Sequence, residues 1–128
     1  MDEHKHHEQL IDGISKQFKE ILENSGQGMY IYLDDIHKIC NEKLAKMLGY
    51  TSAKDWSSAI QPFTELFVDK GSPSILVHAY RSAMEKGIGS SFDINWKTKN
   101  GKSLKTNVIL VPIAFEGHLM ALHFVTKK

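Results

Sequence analysis

The sequence predicts an α+β domain in which strands and helices are segregated along the chain. Three observations carry this. Two short strand-forming runs come early, a helical middle follows, and the last third reads as strand almost throughout. Counted out, the order is an opening helix, two strands, three helical pieces and three strands. With 128 residues, 41% hydrophobic and 24% charged, the chain is the size of one domain able to bury its own core.

The opening helix spans about 7 to 24, where Ile11, Ile14, Phe18 and Ile21 recur at steps of three and four, widened by Leu10 and Leu22. Asn24-Ser25-Gly26 marks its end. Met29-Tyr30-Ile31-Tyr32-Leu33 is rich in strand formers, Asp34-Asp35 turns the chain, and Ile36 to Cys40 returns it as a second strand. Asn41 is suited to cap a helix whose buried side is Leu44, Met47 and Leu48, ended by Gly49. Ser52 with Asp55 three residues on reads as a second cap, carrying Trp56. The segment 57–70 reads as irregular, broken by Pro62 and anchored by Phe63, Leu66 and Phe67. Ser72-Pro73 opens the longest internal helix, with Ile75, Leu76, Ala79, Tyr80, Ala83 and Met84 as its apolar stripe and Gly87 as its stop.

In the last third Phe92, Ile94 and Trp96 alternate with polar residues, giving one wet and one dry face. Asn100-Gly101 signals a tight hairpin, both residues tolerating positive φ. From Leu104 to Ile113 and from Leu119 to Val125 both faces are largely apolar, so a second cover is needed, either the opening helix or a second subunit.

The order of three motifs resembles the PAS domain, the sensory module of prokaryotic signalling proteins. They are the run Asn41 to Tyr50 ending in Leu-Gly-Tyr, the turn Lys99-Asn100-Gly101, and the hairpin Pro112 to Gly117. The resemblance covers Leu22 to Thr126 and implies a five-stranded antiparallel sheet with the helices between strands two and three wrapped on one face. It also implies a division into residues 1–24, a dimerising or capping helix, and residues 25–128, the sensory domain. One feature departs from the pattern: the Asp of the usual closing Asp-Ile/Val-Thr is missing from Phe124-Val125-Thr126.

Composition and motifs exclude several functions. Lys plus Arg number 16 against 15 acids, which gives no pull toward nucleic acid or an anionic membrane. No secretory h-region and no run long enough to span a bilayer occurs, and the single Cys40 forms no internal disulfide, which together read as a cytoplasmic protein. Phosphate loops, paired-Cys motifs, His-Glu-x-x-His and nucleophile elbows are all missing, so an enzyme is not expected; nor is a kinase, cyclase or DNA-binding region.

What the resemblance implies is a signal-transduction module that binds a small ligand or a signalling partner, such as a histidine kinase or regulator, and forms a homodimer. Met47, Phe67, Tyr80 and Trp96 are the candidate ligand contacts, and Ile11, Ile14, Phe18 and Ile21 the dimer contacts. The alternatives are a docking or dimerisation domain without ligand, and a haem- or flavin-containing redox or gas sensor. His78 lies in the helix that supplies the haem ligand in haem-binding relatives, but beside the stripe rather than in it. The flavin-adduct cysteine of light-oxygen-voltage domains has no counterpart at 62–67, and Cys40 reads as a buried thiol. His4, His6 and His7 read as a solvated terminus rather than a metal site. If the opening helix pairs with its twin, His4 and His7 share its seam, where protonation would weaken the pair. His123 faces either pocket or interface.

Overall fold

The computed structural model describes residues 3–128. The order is α1 (Glu3–Gln17), α2 (Lys19–Asn24), β1 (Gly28–Tyr32), β2 (Lys38–Cys40), α3 (Glu42–Met47), α4 (Ala53–Ser57), α5 (Phe63–Phe67), α6 (Pro73–Lys86), β3 (Ser90–Lys97), β4 (Ser103–Phe115) and β5 (His118–Lys127). The strands form one antiparallel sheet in the order β2-β1-β5-β4-β3, so the first and last strands are neighbours at its centre. No described helix is long and apolar enough to cross a membrane.

Both faces of the sheet are covered, as the doubly apolar last strands require. On the inner face Tyr30, Ile94, Trp96, Val108 and Val125 pack with Leu44, Leu48, Trp56, Phe63, Phe67 and Leu76 from α3 to α6. On the outer face Met29, Ile31, Met120 and Leu122 pack with Leu10, Ile11, Ile14 and Leu22. The opening helix is therefore the second cover, and each of its buried aliphatic side chains contributes on the order of 2 kcal/mol as an upper bound. Gly13 lets it approach closely: a Cβ there would stand 3.0 Å from the Phe115 ring.

Several sequence expectations are refined. The opening helix already includes Glu3, earlier than the periodicity indicates, and is interrupted at Phe18, whose ψ of 6° leaves the helical region. Ile11 and Ile14, expected at a dimer contact, are consumed by packing inside the chain, while Ile21 is 53% exposed and Phe18 half-buried. The segment 57–70 is not wholly irregular, since Pro62 leads directly into α5. Ile75 is exposed because the α6 stripe turns Leu76, Ala79 and Ala83 toward the sheet.

Local chemistry sets the remaining boundaries. Asn41 Oδ1 accepts from Leu44 N–H and Met29 N–H, both at 3.0 Å, while its Nδ2 donates to Gln27 O, so one side chain caps α3 and ties it to β1. Ser52 Oγ accepts from Asp55 N–H at 3.0 Å, and Gly87 ends α6 in the left-handed region. The Asn100-Gly101 hairpin uses positive φ only at Gly101. The two-residue turn with both positions at positive φ lies instead at Glu116-Gly117, between β4 and β5.

Candidate ligand cavity

Tyr30 on β1 and His123 on β5 are direct cross-strand partners, and both side chains point to the inner face. Their rings stack at 3.9 Å between centroids with an 8° interplanar angle. Above them, α5 contributes Phe63 and Thr64, α6 contributes Leu76, Val77 and Tyr80, and Tyr32 completes the wall of a cavity of about 70 Å³. Val77 stands at its rim, 38% exposed.

The polar groups in this wall are uncharged, with Tyr30 and His123 buried and Tyr32, Thr64 and Tyr80 half-buried. Burial pushes the His123 imidazole down to about 3, against which its backbone hydrogen bonds work only partly. Its Nδ1 lies 3.1 Å from Ala121 O. A carbonyl only accepts, so the neutral ring carries its proton on Nδ1 and presents Nε2 as an acceptor. Burial likewise lifts the Tyr30 phenol far above its ordinary value, with Tyr32 adding to it. Tyr32 and Tyr80 shift the same way, again chiefly through burial, with Asp35 and Asp34 adding. All three phenols therefore stay protonated near neutrality.

The Tyr32 hydroxyl donates to Asp35 Oδ1 at 2.8 Å, and that same oxygen accepts from Phe63 N–H at 3.0 Å, which fixes the entry to α5. The Tyr30 hydroxyl, in contrast, is buried and has no hydrogen-bond partner among the described residues. Leaving such a group unpaired costs about 1–3 kcal/mol, so its occurrence in a cavity wall is informative.

Of the four ligand contacts expected from sequence, Tyr80 lines this cavity. Phe67 and Trp96 are fully buried beside it: Phe67 stacks on Trp56 at 4.9 Å, and Trp96 Nε1 donates to Thr106 Oγ1 at 2.8 Å. Met47 lies at the other end of the sheet, beside Gly28 and among Gly26, Gln27 and Lys43. Aromatic or flexible apolar character does not separate a cavity wall from solid core, and these three fill core or edge. The sequence pattern alone does not mark Tyr30, Tyr32, Phe63 and His123 as contacts, though they line the cavity. Only the phase of His123 along its strand hinted at its place.

Lys38 holds the neighbouring wall. Its buried ammonium donates to Asp35 O and Ala59 O, both at 2.6 Å, and lies 5.7 Å from the Trp56 ring centre, so β2 is latched to the loop before α5.

Neither haem nor flavin fits these residues. The cavity is small against the roughly 300–1,000 Å³ of sites for drug-sized ligands. His78 is exposed on the outer side of α6 and offers no ring nitrogen to the interior. Cys40 hydrogen-bonds Ala53 O, and burial lifts its thiol to about 12, which makes it inert.

Solved structures share this arrangement. A PAS domain of a protein from Colwellia psychrerythraea superposes with a TM-score of 0.68 at 19% identity, over 90% of this chain and 97% of that one. This is the PAS fold. The PAS domain of nitrogen regulation protein NR(II) from Vibrio parahaemolyticus gives a TM-score of 0.60 at 23% identity, over 85% of this chain and 95% of its own. A PAS domain from a two-component sensor histidine kinase gives 0.66 at 13% identity, over 91% and 99%. No protein-family model and no curated protein matches the sequence. The PAS fold is thus carried by backbone geometry, and its ligand chemistry has to be read from the cavity itself.

Proposed function

We propose that this chain is a non-catalytic sensory module of signal transduction that binds a small uncharged molecule between its sheet and α6. The unpartnered Tyr30 hydroxyl in the cavity wall carries the reading. A ligand with one acceptor for that hydroxyl and one donor for His123 Nε2 would complete the wall without bringing in a charge. Occupancy would favour one setting of α6 against the sheet over another, which only differential affinity can do. Residues 25–128 form the sensory unit, and the helical segment before them caps the sheet. In this reading the module acts in the cytoplasm as a homodimer, with Phe18 and Ile21 as the part of the stripe open to a second copy, and it signals to a histidine kinase or regulator. The kinase and nitrogen-regulation names among structures of the same fold support that partner class.

A second reading is a docking domain that binds no ligand, and the small size of the cavity favours it. Native mass spectrometry of the purified protein, beside Tyr30→Phe, separates the two. A defined extra mass on the wild type that is lost in the variant supports the sensor. A bare wild type that also gains nothing from a panel of small neutral metabolites leaves the docking domain.

A further inference from the structure

The start of α1, expected to be a solvated terminus, is laid against the turn between β1 and β2. His7 Nδ1 lies 2.8 Å from Asp34 Oδ2, and His37 Nδ1 lies 2.7 Å from Oδ1 and 2.9 Å from Oδ2 of the same carboxylate. His4 Nδ1 meets the far side of the His37 ring, 2.8 Å from Nε2. The cluster is built rather than loose. Asp34 Oδ1 also accepts from Ile36 N–H at 3.0 Å and His37 N–H at 2.7 Å, and the His37 side chain is 7% exposed. The seam between twin helices considered for His4 and His7 is not needed to account for them.

We propose that His7 Nδ1, the Asp34 carboxylate and His37 Nδ1 bind a divalent transition-metal ion of the zinc class, which clamps α1 to the β1–β2 turn. One donor atom from each residue already lies within 4.8 Å of the others. Bonds of about 2.0–2.1 Å in a tetrahedron put donors roughly 3.3 Å apart, so the donors bonded to Asp34 spread by about half an ångström while the two imidazole nitrogens, within 4.8 Å of each other, draw in toward that separation. The ion takes the place of the Nδ1 protons now directed at Asp34. Two imidazoles with one carboxylate suit zinc, cobalt or nickel rather than calcium or magnesium, which take oxygen ligands. Three protein ligands leave a fourth position for water.

The surrounding groups support the assignment independently. An imidazole bound to metal through one nitrogen carries its proton on the other and gives it to an acceptor that fixes the ring. The His37 ring has such a group in place, its Nε2 lying 2.8 Å from His4 Nδ1, while Glu3 Oε1 stands 3.8 Å from His7 Nε2, beyond hydrogen-bond reach. Because the ligands come from α1 and from the turn after β1, binding energy adds directly to the docking of the helix.

A second histidine pair supplies the control. His6 Nε2 lies 3.3 Å from His118 Nε2, with no carboxylate in the contact. The test is a Zn²⁺ titration of the full chain against a chromophoric chelator, on wild type, His7→Gln, Asp34→Asn and the double variant His6→Gln/His118→Gln. Asn keeps an oxygen for the turn's backbone N–H groups, and Gln keeps helix propensity in α1, so circular dichroism should show each variant folded. One Zn²⁺ per chain is expected for wild type and the double variant, with affinity roughly tenfold or more weaker in His7→Gln and in Asp34→Asn. Zn²⁺ should also slow amide exchange in α1 of the wild type. Any of three results would overturn the site: no saturable binding, equal affinity in His7→Gln, or binding lost in the double variant.

Discussion

Tyr30 and His123 are the two residues whose chemistry the fold leaves most exposed to test. Replacing Tyr30 by Phe removes a buried hydroxyl without a partner while retaining the ring contacts with His123, Phe63 and Trp96. In the ligand-free protein this should raise stability by about 1 kcal/mol in urea unfolding, where most core substitutions lower it. A loss instead would mean that the hydroxyl has a partner in solution. His123 makes stability depend on pH with a definite sign. Its folded value of about 3 lies below the ordinary 6.5, so the unfolded chain takes up the proton first and acid favours unfolding. The contribution is whole above pH 6.5 and is lost on acidification toward 3, at up to about 1.4 kcal/mol per pH unit. His123→Phe preserves a ring on Tyr30 and should flatten the curve between neutrality and the carboxylate range. If both proteins give the same slope, His123 is not the group responsible. Neither residue's place in the cavity was legible beforehand, because the pair meets across almost the whole chain and strand phase alone does not say which face is inside.

Helix caps and turns, in contrast, are written in short stretches of sequence, and Asn41, Ser52 and Gly87 do what their local chemistry indicates. Asn41→Ala tests the strongest of them. It removes the α3 cap and leaves Met29 N–H and Gln27 O without their side-chain partner, so a loss of about 2–3 kcal/mol is expected in chemical denaturation. The β4–β5 turn offers the opposite sign. Glu116 sits at φ 49° ahead of Gly117 at φ 80°, and glutamate has no preference for that region. Glu116→Asn, which recreates the favoured Asn-Gly pair, should add about 0.5 kcal/mol. No gain in thermal midpoint would show that the turn is held by its strands alone. The element that sequence missed, α5, is a single turn that follows a proline, too short for any periodicity to register. The break at Phe18 was equally hidden, since the apolar stripe runs through it unbroken.

At the scale of the whole molecule, segregation of strands from helices and the double covering of the last strands were both legible, because they follow from hydrophobic pattern over long windows. Which of two covers the outer face receives was not, since a helix of this chain and a second copy satisfy the same pattern. The covering helix makes a plain prediction. Deleting residues before Ser25 should bare Met29, Ile31, Met120 and Leu122, and the shortened protein should bind a hydrophobic dye and enlarge on size-exclusion chromatography. An unchanged elution volume with no dye signal would show that the sheet closes that face by other means. The central position of β5 has a further consequence, for synthesis at the ribosome. Neither hydrophobic layer is complete without Met120, Ala121, Leu122 and Val125, and β1 waits for them as its neighbour. A nascent chain can wind its helices and pair β3 with β4 as they emerge, but the two halves of the sheet join only once the last strand is free. Until then Tyr30 and Ile31 have no β5 to pair with, which makes the interval before β5 emerges the period when this chain most needs a chaperone.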